Sequence, residues 1–172
     1  EKARKTTERA LIYAKDAGNI IAFDGNLRLK RWESEEYCRQ TVSSFLKHAH
    51  IVKLAEDELQ FLTETDSLDA GIDQLSKWQI PYLFITMGSK GACAIFNGNK
   101  VFVPAPIVEA IDTTGAGDAF MAALLYSFHE KGLPTKLSLL KEYVQFANKV
   151  GAAATTGRGS LSVSMLWPKN ID

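Results

Sequence analysis

Cysteine is scarce. Only Cys38 and Cys93 occur among 172 residues, too few for a disulfide framework or a thiolate metal cluster. Cys38 falls on an expected helix face and Cys93 inside an expected strand, so both read as buried apolar fillers. The three histidines, His48, His50 and His129, are scattered over expected helix ends and surface, and suit neither a metal set nor the base of a nucleophile. Net charge is also missing: 20 Lys and Arg balance 20 Asp and Glu, which favours neither nucleic acid nor an anionic membrane as partner. No apolar run approaches the ~20 residues of a membrane span and no signal-peptide pattern opens the chain, so a cytoplasmic setting is expected. Internal repeats and low-complexity segments are absent. What remains, at 46% hydrophobic content, is a chain able to bury one good core, with one domain as the expectation. It opens at Glu1 without methionine, directly in a helical pattern, which raises the expectation of a longer parent chain.

The most informative stretch is Asp112-Thr113-Thr114-Gly115-Ala116-Gly117-Asp118-Ala119-Phe120. It runs into Phe120, Ala123, Leu124, Ser127 and Phe128, a helical spacing, and so places a glycine turn at a helix N-terminus. Such a terminus has backbone N–H groups without intrahelical partners and a partial positive charge, which together attract an anion such as phosphate. Gly115 and Gly117 hold no side chain between a ligand and those amides, and Asp118 lies in the first turn beside whatever is bound. An anion cradle next to a carboxylate suits phosphoryl transfer to a hydroxyl. The plainer alternative is an ordinary helix start, with Asp118 complementing the dipole. Other phosphate loops do not fit: Phe120 stands where a dinucleotide fingerprint needs its third glycine, and no Gly-Lys-Ser or Gly-Lys-Thr occurs at Walker spacing.

Along the rest of the chain, Lys2 to Ala17 carries a helical apolar stripe that Gly18 and Asn19 end. Ile20 to Phe23 is a short continuous apolar run, expected as a strand buried on both faces in a parallel sheet. Asp24, Asn26 and Arg28 follow at its C-terminal end, where open α/β sheets bind ligands; a plain Asp-Gly turn is the competing reading. Ser34 is expected to cap a helix presenting Cys38, Val42, Phe45, Leu46 and Ala49, before the strand Ile51 to Leu54. Glu56-Asp57-Glu58 then offers either a hold on hydrated magnesium or mere dipole complementarity. A packing helix from Ser67 to Trp78, which Asp66 can cap, precedes the strand Tyr82 to Met87. Gly88-Ser89-Lys90-Gly91 is a second glycine turn at a strand exit, able to hold phosphate charge with backbone amides and Lys90. Asn97-Gly98 predicts a type I′ hairpin between Ala92–Phe96 and Lys100–Val103. An extended segment from Ile107 to Ile111 leads to Asp112. The helix from Asp118 to about Lys131, the break at Gly132 and Pro134, and a last helix through Leu137, Leu140, Val144, Ala147, Gly151 and Ala154 complete the pattern. The Thr155 to Ser160 segment is a polar loop, and no element is expected beyond it.

Asp-Thr-Thr-Gly-Ala-Gly-Asp-Ala-Phe resembles the C-terminal signature of the ribokinase-like (PfkB) carbohydrate kinases, which phosphorylate a sugar hydroxyl from ATP. The order of elements is similar to the C-terminal half of that fold over nearly the whole chain. The resemblance implies an α/β class: a three-layer, mostly parallel sheet with an antiparallel hairpin and helices on both faces. Residues 1–172 would form the nucleotide-binding and catalytic portion, without the N-terminal sugar-binding portion and lid. It further implies Asp118 as general base, Gly115, Ala116 and Gly117 as anion hole, and Thr86, Gly88, Lys90 and Gly91 as the nucleotide-phosphate turn. Asn148 resembles an adenine-contacting asparagine. Glu56 matches the glutamate of the family's Asn-x-x-Glu motif, which organises Mg2+, although Lys53 stands where asparagine is usual, a departure shared by fructokinases. Asp112 and the Thr155 to Ser160 loop resemble the monovalent-cation (K+) site of some members.

Phe23-Asp-Gly-Asn-Leu-Arg…Trp32 is similar to the Phe-Asp-Pro-Asn-Leu-Arg…Trp segment of bacterial fructokinases, implying Asn26 and Arg28 as sugar contacts. Gly25 replaces the proline and loosens that turn. The implied reaction is ATP-dependent phosphorylation of fructose to fructose 6-phosphate in a homodimeric enzyme. The alternatives are a 2-keto-3-deoxygluconate kinase or another sugar kinase of the family, and, in a different class, a non-catalytic nucleotide-binding fragment.

Overall fold

The computed structural model describes residues 2–160; the stretch 161–172, where no element is expected, lies outside the described residues. Helix starts follow the local chemistry of their first residues. Ser34 accepts the Tyr37 N–H at 3.1 Å and opens α2 (Glu35–Leu46), after α1 (Lys2–Asp16). Ser67, rather than Asp66, accepts the Ala70 N–H and caps α4 (Leu68–Ser76). A hydroxyl one residue before the first turn reaches the orphan amides; Asp66 stands one residue too early. Between them lies α3 (Glu56–Thr63), followed later by α5 (Ala116–Lys131) and α6 (Leu137–Ala154).

The strands are β1 (Ala22–Asp24), β2 (Ile51–Ala55), β3 (Tyr82–Thr86), β4 (Ala92–Phe96) and β5 (Asn99–Val103), hydrogen-bonded in the order β1-β2-β3-β4-β5. β1 and β2 are parallel, pairing Ala22 with Ile51 and Asp24 with Lys53. β4 and β5 are antiparallel across Asn97 and Gly98, whose φ values of 49° and 74° are those of the expected type I′ turn. Neighbours β3 and β4 are joined by five residues, too few for a parallel crossover, so the sheet is mixed, open and mostly parallel.

The chain divides inside β3 into two compact units, Glu1–Leu83 and Phe84–Asp172. In the first, four successive residues of β2, Ile51 to Leu54, are buried. Successive strand residues point to opposite faces, so both faces of β2 are covered. Leu46, Leu59 and Leu75 from the helices fill that core without exposure. β1 departs from expectation: Ile20 and Ile21 precede it, Ala22 is exposed, and Phe23 and Asp24 are only half-buried. Among the described residues it stands at one edge of the sheet, so its apolar run has a described sheet neighbour on one side. The stripe of α1 lies along the same groove, with Ala10, Leu11 and Ala14 lining a space of about 470 Å³ beside β1.

In the second unit, Ala92 to Ile95 of β4 are likewise buried in succession. Phe84, Phe128 and Tyr143 stack edge to face, with ring centroids 6.3 and 5.7 Å apart, a geometry that adds to the burial of their area. Both cysteines are buried and free, as expected, and burial pushes the Cys38 thiol above its ordinary range, which keeps it unreactive. Among the described residues no helix is long and apolar enough to cross a membrane.

Candidate functional site

Helix α5 begins differently from α2 and α4. Its first flanking residue is Gly115, in the left-handed region at φ 83° and without a side-chain cap. The first-turn amides of Ala116, Gly117 and Asp118 are therefore the positive end of a helix that no side chain of its own N-cap neutralises. Gly115 is required by space as well as by φ: a Cβ there would come within 2.7 Å of Ser160 Cβ. The 155–160 loop thus packs directly on the glycine turn.

That loop is tied to Asp112 from both sides. Thr155 C=O accepts the N–H groups of Ile111 and Asp112 at 2.7 and 3.1 Å. In return the Asp112 carboxylate accepts the Thr114 N–H and the Gly159 N–H, each at 2.9 Å. Hydrogen bonds from Thr114 first, then Gly159, with Arg158 nearby, lower the Asp112 pKa to about 2. Asp112 is thus held ionised, a suitable group to face a monovalent cation.

A cavity of about 320 Å³ lies in the second unit, in the size range of small-molecule sites. Its lining includes Thr86, Gly88, Gly91, Ala116, Gly117 and Asn148, so both glycine turns and the asparagine of α6 meet at one space. Gly91, at φ 116°, has no room for a Cβ, which would press on Val103 C=O and approach Ala105 N to 2.7 Å. Asn148 is buried and donates Nδ2 to the carbonyls of Val103 and Pro104 at 2.9 and 3.2 Å. It thus anchors the end of β5 to α6 at the cavity wall. Lys90, Gly115, Asp118 and Asp112 are not in the lining; Lys90 and Asp118 are exposed.

Sequence reasoning missed the opposite wall, formed by Ala105 to Val108 and Ala110. Its signal was Pro104 and Pro106 breaking a strand before apolar residues with no expected partner; Ile107 is fully exposed. Gly151 and Ala152 also line the cavity, and the run of small residues on α6 was the available hint.

In the first unit, Asn26 and Arg28 lie in the loop after β1, both left-handed at φ 39° and 48°. Arg28 Nε donates to Asn26 Oδ1 at 3.1 Å. Between them Leu27 is buried and held by its backbone: its N–H donates to Glu58 Oε1 at 2.8 Å and its C=O accepts Trp32 Nε1 at 2.7 Å. Asp24 is part of the strand rather than a turn, and its carboxylate accepts from buried Lys53 Nζ at 2.9 Å. The lysine at the position where asparagine is usual therefore has a partner of its own. Of the three acids that open α3, Glu58 makes the helix-start contact, accepting the Ala55 N–H at 2.9 Å. Glu56 is half-buried at the first position of the helix. No group of three or more His, Cys, Asp or Glu side chains suited to a metal occurs among the described residues.

The family model for pfkB family carbohydrate kinases matches residues 1–166. A fructokinase from Vibrio alginolyticus is 35% identical over 162 residues, covering 94% of this chain and 53% of the relative. A double mutant of the Vibrio cholerae O395 fructokinase, solved in fructose, ADP and potassium ion bound form, superposes with TM-score 0.87 at 34% identity, over 95% of this chain and 53% of that one. An aminoimidazole riboside kinase from Salmonella enterica, complexed with aminoimidazole riboside and an ATP analogue, gives TM-score 0.82 at 30% identity, over 90% and 52%. The chain thus spans about half the length of the relatives it matches.

Proposed function

The chain belongs to the pfkB family of carbohydrate kinases, and from that premise we propose that it is the nucleotide-binding and catalytic portion of an ATP-dependent kinase that phosphorylates a sugar hydroxyl, with fructose as acceptor and fructose 6-phosphate as product. The observation that carries the reading is the single cavity lined by Thr86, Gly88 and Gly91 of one glycine turn, Ala116 and Gly117 of the other, and Asn148. Two glycine turns, one at a helix N-terminus, are what a polyphosphate needs.

In this reading the adenosine end lies along α6, where Gly151 and Ala152 leave room for a flat ring, and the phosphates run toward the two turns. Asp118 takes the proton from the sugar hydroxyl, and the freed oxygen attacks the γ-phosphorus as its bond to the β–γ bridging oxygen breaks, leaving ADP. The amides of Gly115 to Gly117 hold the charge that develops on the transferring phosphoryl oxygens. Magnesium supplies further charge neutralisation when bound. Glu56, at the first position of α3, would be the carboxylate that organises it through water, since magnesium keeps several waters in such sites. Asp112, ionised and tied to the 155–160 loop, would hold potassium.

Fructose is supported by the fructokinase relatives and by the Phe23 to Trp32 segment. The likeness to a riboside kinase makes the acceptor the point to test, by screening fructose, 2-keto-3-deoxygluconate, ribose and nucleosides with the full-length protein. Asp118→Asn is expected to lower kcat on the order of 10² or more while ATP affinity stays within about twofold. A full-length Asp118→Asn enzyme with normal turnover would refute the assignment. ATP binding by calorimetry without sugar-dependent ADP release would instead identify a nucleotide-binding protein with no transferase activity.

A further inference from the structure

The loop after β1 carries Asn26 and Arg28, and a side chain closes it. The carbonyls of Arg28 and Leu29 accept main-chain N–H groups, those of Arg31 and Trp32, at 2.9 and 3.1 Å. The Leu27 carbonyl, between two left-handed residues, is met by an indole: Trp32 Nε1 donates to it at 2.7 Å. An indole has one N–H and accepts nothing, so this bond uses its whole hydrogen-bonding capacity. It closes the chain on itself across five residues, and Arg28 lies inside the closed segment.

Arg28 is the residue that needs such a closure. Its backbone stands at φ 48° and ψ 61°, a region that strains any residue with a Cβ and that asparagine tolerates better than arginine. The conformation persists only where surrounding contacts enforce it. Arg28 is itself exposed, with Nε donating to Asn26 Oδ1 at 3.1 Å, so burial of its own side chain does not enforce it. The indole is held firmly enough to do so. Trp32 is half-buried at the C-terminal end of the short helical turn Leu29–Arg31, and its ring meets that of Tyr37 edge to face at 6.0 Å. Tyr37 is fixed in turn, by its N–H on the Ser34 cap and by Arg4 Nη1 of α1, which donates to its hydroxyl at 3.1 Å. Two helices therefore orient the ring whose N–H holds the loop.

We propose that Trp32 is a positioning residue for the acceptor sugar: by closing residues 27–32 through its indole N–H, it keeps Arg28 in left-handed backbone and sets where the guanidinium meets the sugar. The proposal rests on the sugar-kinase reading above, with Arg28 as a sugar contact. Phenylalanine at this position would keep a ring against Tyr37 and leave the Leu27 carbonyl without its donor, so Trp32→Phe separates the bond from most of the packing.

The test uses the full-length protein and the variants Trp32→Phe, Arg28→Ala and the two combined. Trp32→Phe is expected to raise the KM for the sugar about fivefold or more while the KM for ATP stays within about twofold. In the Arg28→Ala background the same change should alter the sugar KM by less than about twofold, because a residue that acts through Arg28 has nothing left to position. In the wild type the Trp32 indole N–H should exchange with solvent at least about tenfold more slowly than a free indole N–H, which nuclear magnetic resonance reads without any activity. An unchanged sugar KM in Trp32→Phe or in Arg28→Ala, sugar and ATP KM values rising together, or a full effect of Trp32→Phe in the Arg28→Ala background would overturn the proposal and leave Trp32 a packing residue. Exchange of the Trp32 indole at the free rate would overturn it too. A wild-type protein that phosphorylates no sugar would defeat the kinase reading itself, an outcome distinct from an active wild type whose Trp32→Phe variant keeps its acceptor KM.

Discussion

At Gly88 and Gly91 one residue type answers two demands. Gly88 lies at φ 57° with open space where a Cβ would be, whereas Gly91 combines φ 116° with backbone atoms of Val103 and Ala105 in the Cβ position. Gly88→Ala should therefore cost only the left-handed backbone, about 1–2 kcal/mol. Gly91→Ala adds a clash with main chain that cannot rotate away, and should cost at least about 3 kcal/mol. Urea unfolding of the two variants would show the difference, and equal losses would contradict the packing described at the turn. Asp112 gives a prediction in pH. Its folded pKa of about 2 lies below the ordinary 3.8, so its contribution to stability is complete above about pH 4 and disappears as pH falls to about 2. Asp112→Asn should be less stable at neutral pH and lose part of the slope of stability against pH between about 4 and 2. Parallel curves for variant and wild type would exclude the two amide bonds as the cause.

Among the elements, α5 and α6 set the cavity together, because Gly151 lets α6 approach the start of α5: a Cβ there would meet Ala116 C=O at 3.2 Å and Phe120 Cβ at 3.5 Å. Gly151→Val should push the helices apart, with a loss of about 1–3 kcal/mol and weaker ATP binding by about tenfold or more. Ser34→Ala, which removes the cap of α2, should cost about 1 kcal/mol and leave ATP affinity unchanged. Calorimetric titration of both variants separates helix stability from site geometry. These helices were legible in the sequence because a 3.6-residue period and a capping serine are local signals. The glycine turns were legible for the same reason, as short motifs at a strand exit and at a helix start. β1 was misread because its burial depends on which strands flank it, and an apolar run of four residues is the same at a sheet's edge as at its centre. Glu58 looked like one acid among three, since its partner Leu27 lies 31 residues away along the chain. The Ala105 to Val108 wall offered only a broken strand at Pro104 and Pro106, and its role is defined by the residues with which it shares the cavity.

For the molecule as a whole, the two compact units hold different candidate residues: Asn26, Arg28 and Glu56 fall in Glu1–Leu83, and the cavity with Asp118 in Phe84–Asp172. Each ligand should therefore leave its own footprint on the full-length protein. Any ligand that binds only the folded state raises its stability, by about 2.7 kcal/mol at one hundred times Kd, and slows exchange most where it touches. ATP is expected to slow amide exchange in 86–91, 105–117 and 148–155, the segments that line the cavity. The acceptor sugar, added alone, is expected to slow exchange in 24–32, with Leu27 already slow before addition because Glu58 holds its N–H. The glycine turns decide the nucleotide half of this pattern: Lys90, Gly91 and Ala116 already donate their N–H groups within the turns, so the protection to be gained falls on the other amides there. Hydrogen exchange followed by mass spectrometry resolves segments of this length. ATP protection concentrated in 22–58 with none at 86–91 would move the nucleotide out of the cavity, and with it the roles proposed for Thr86, Gly88, Gly91 and Asn148.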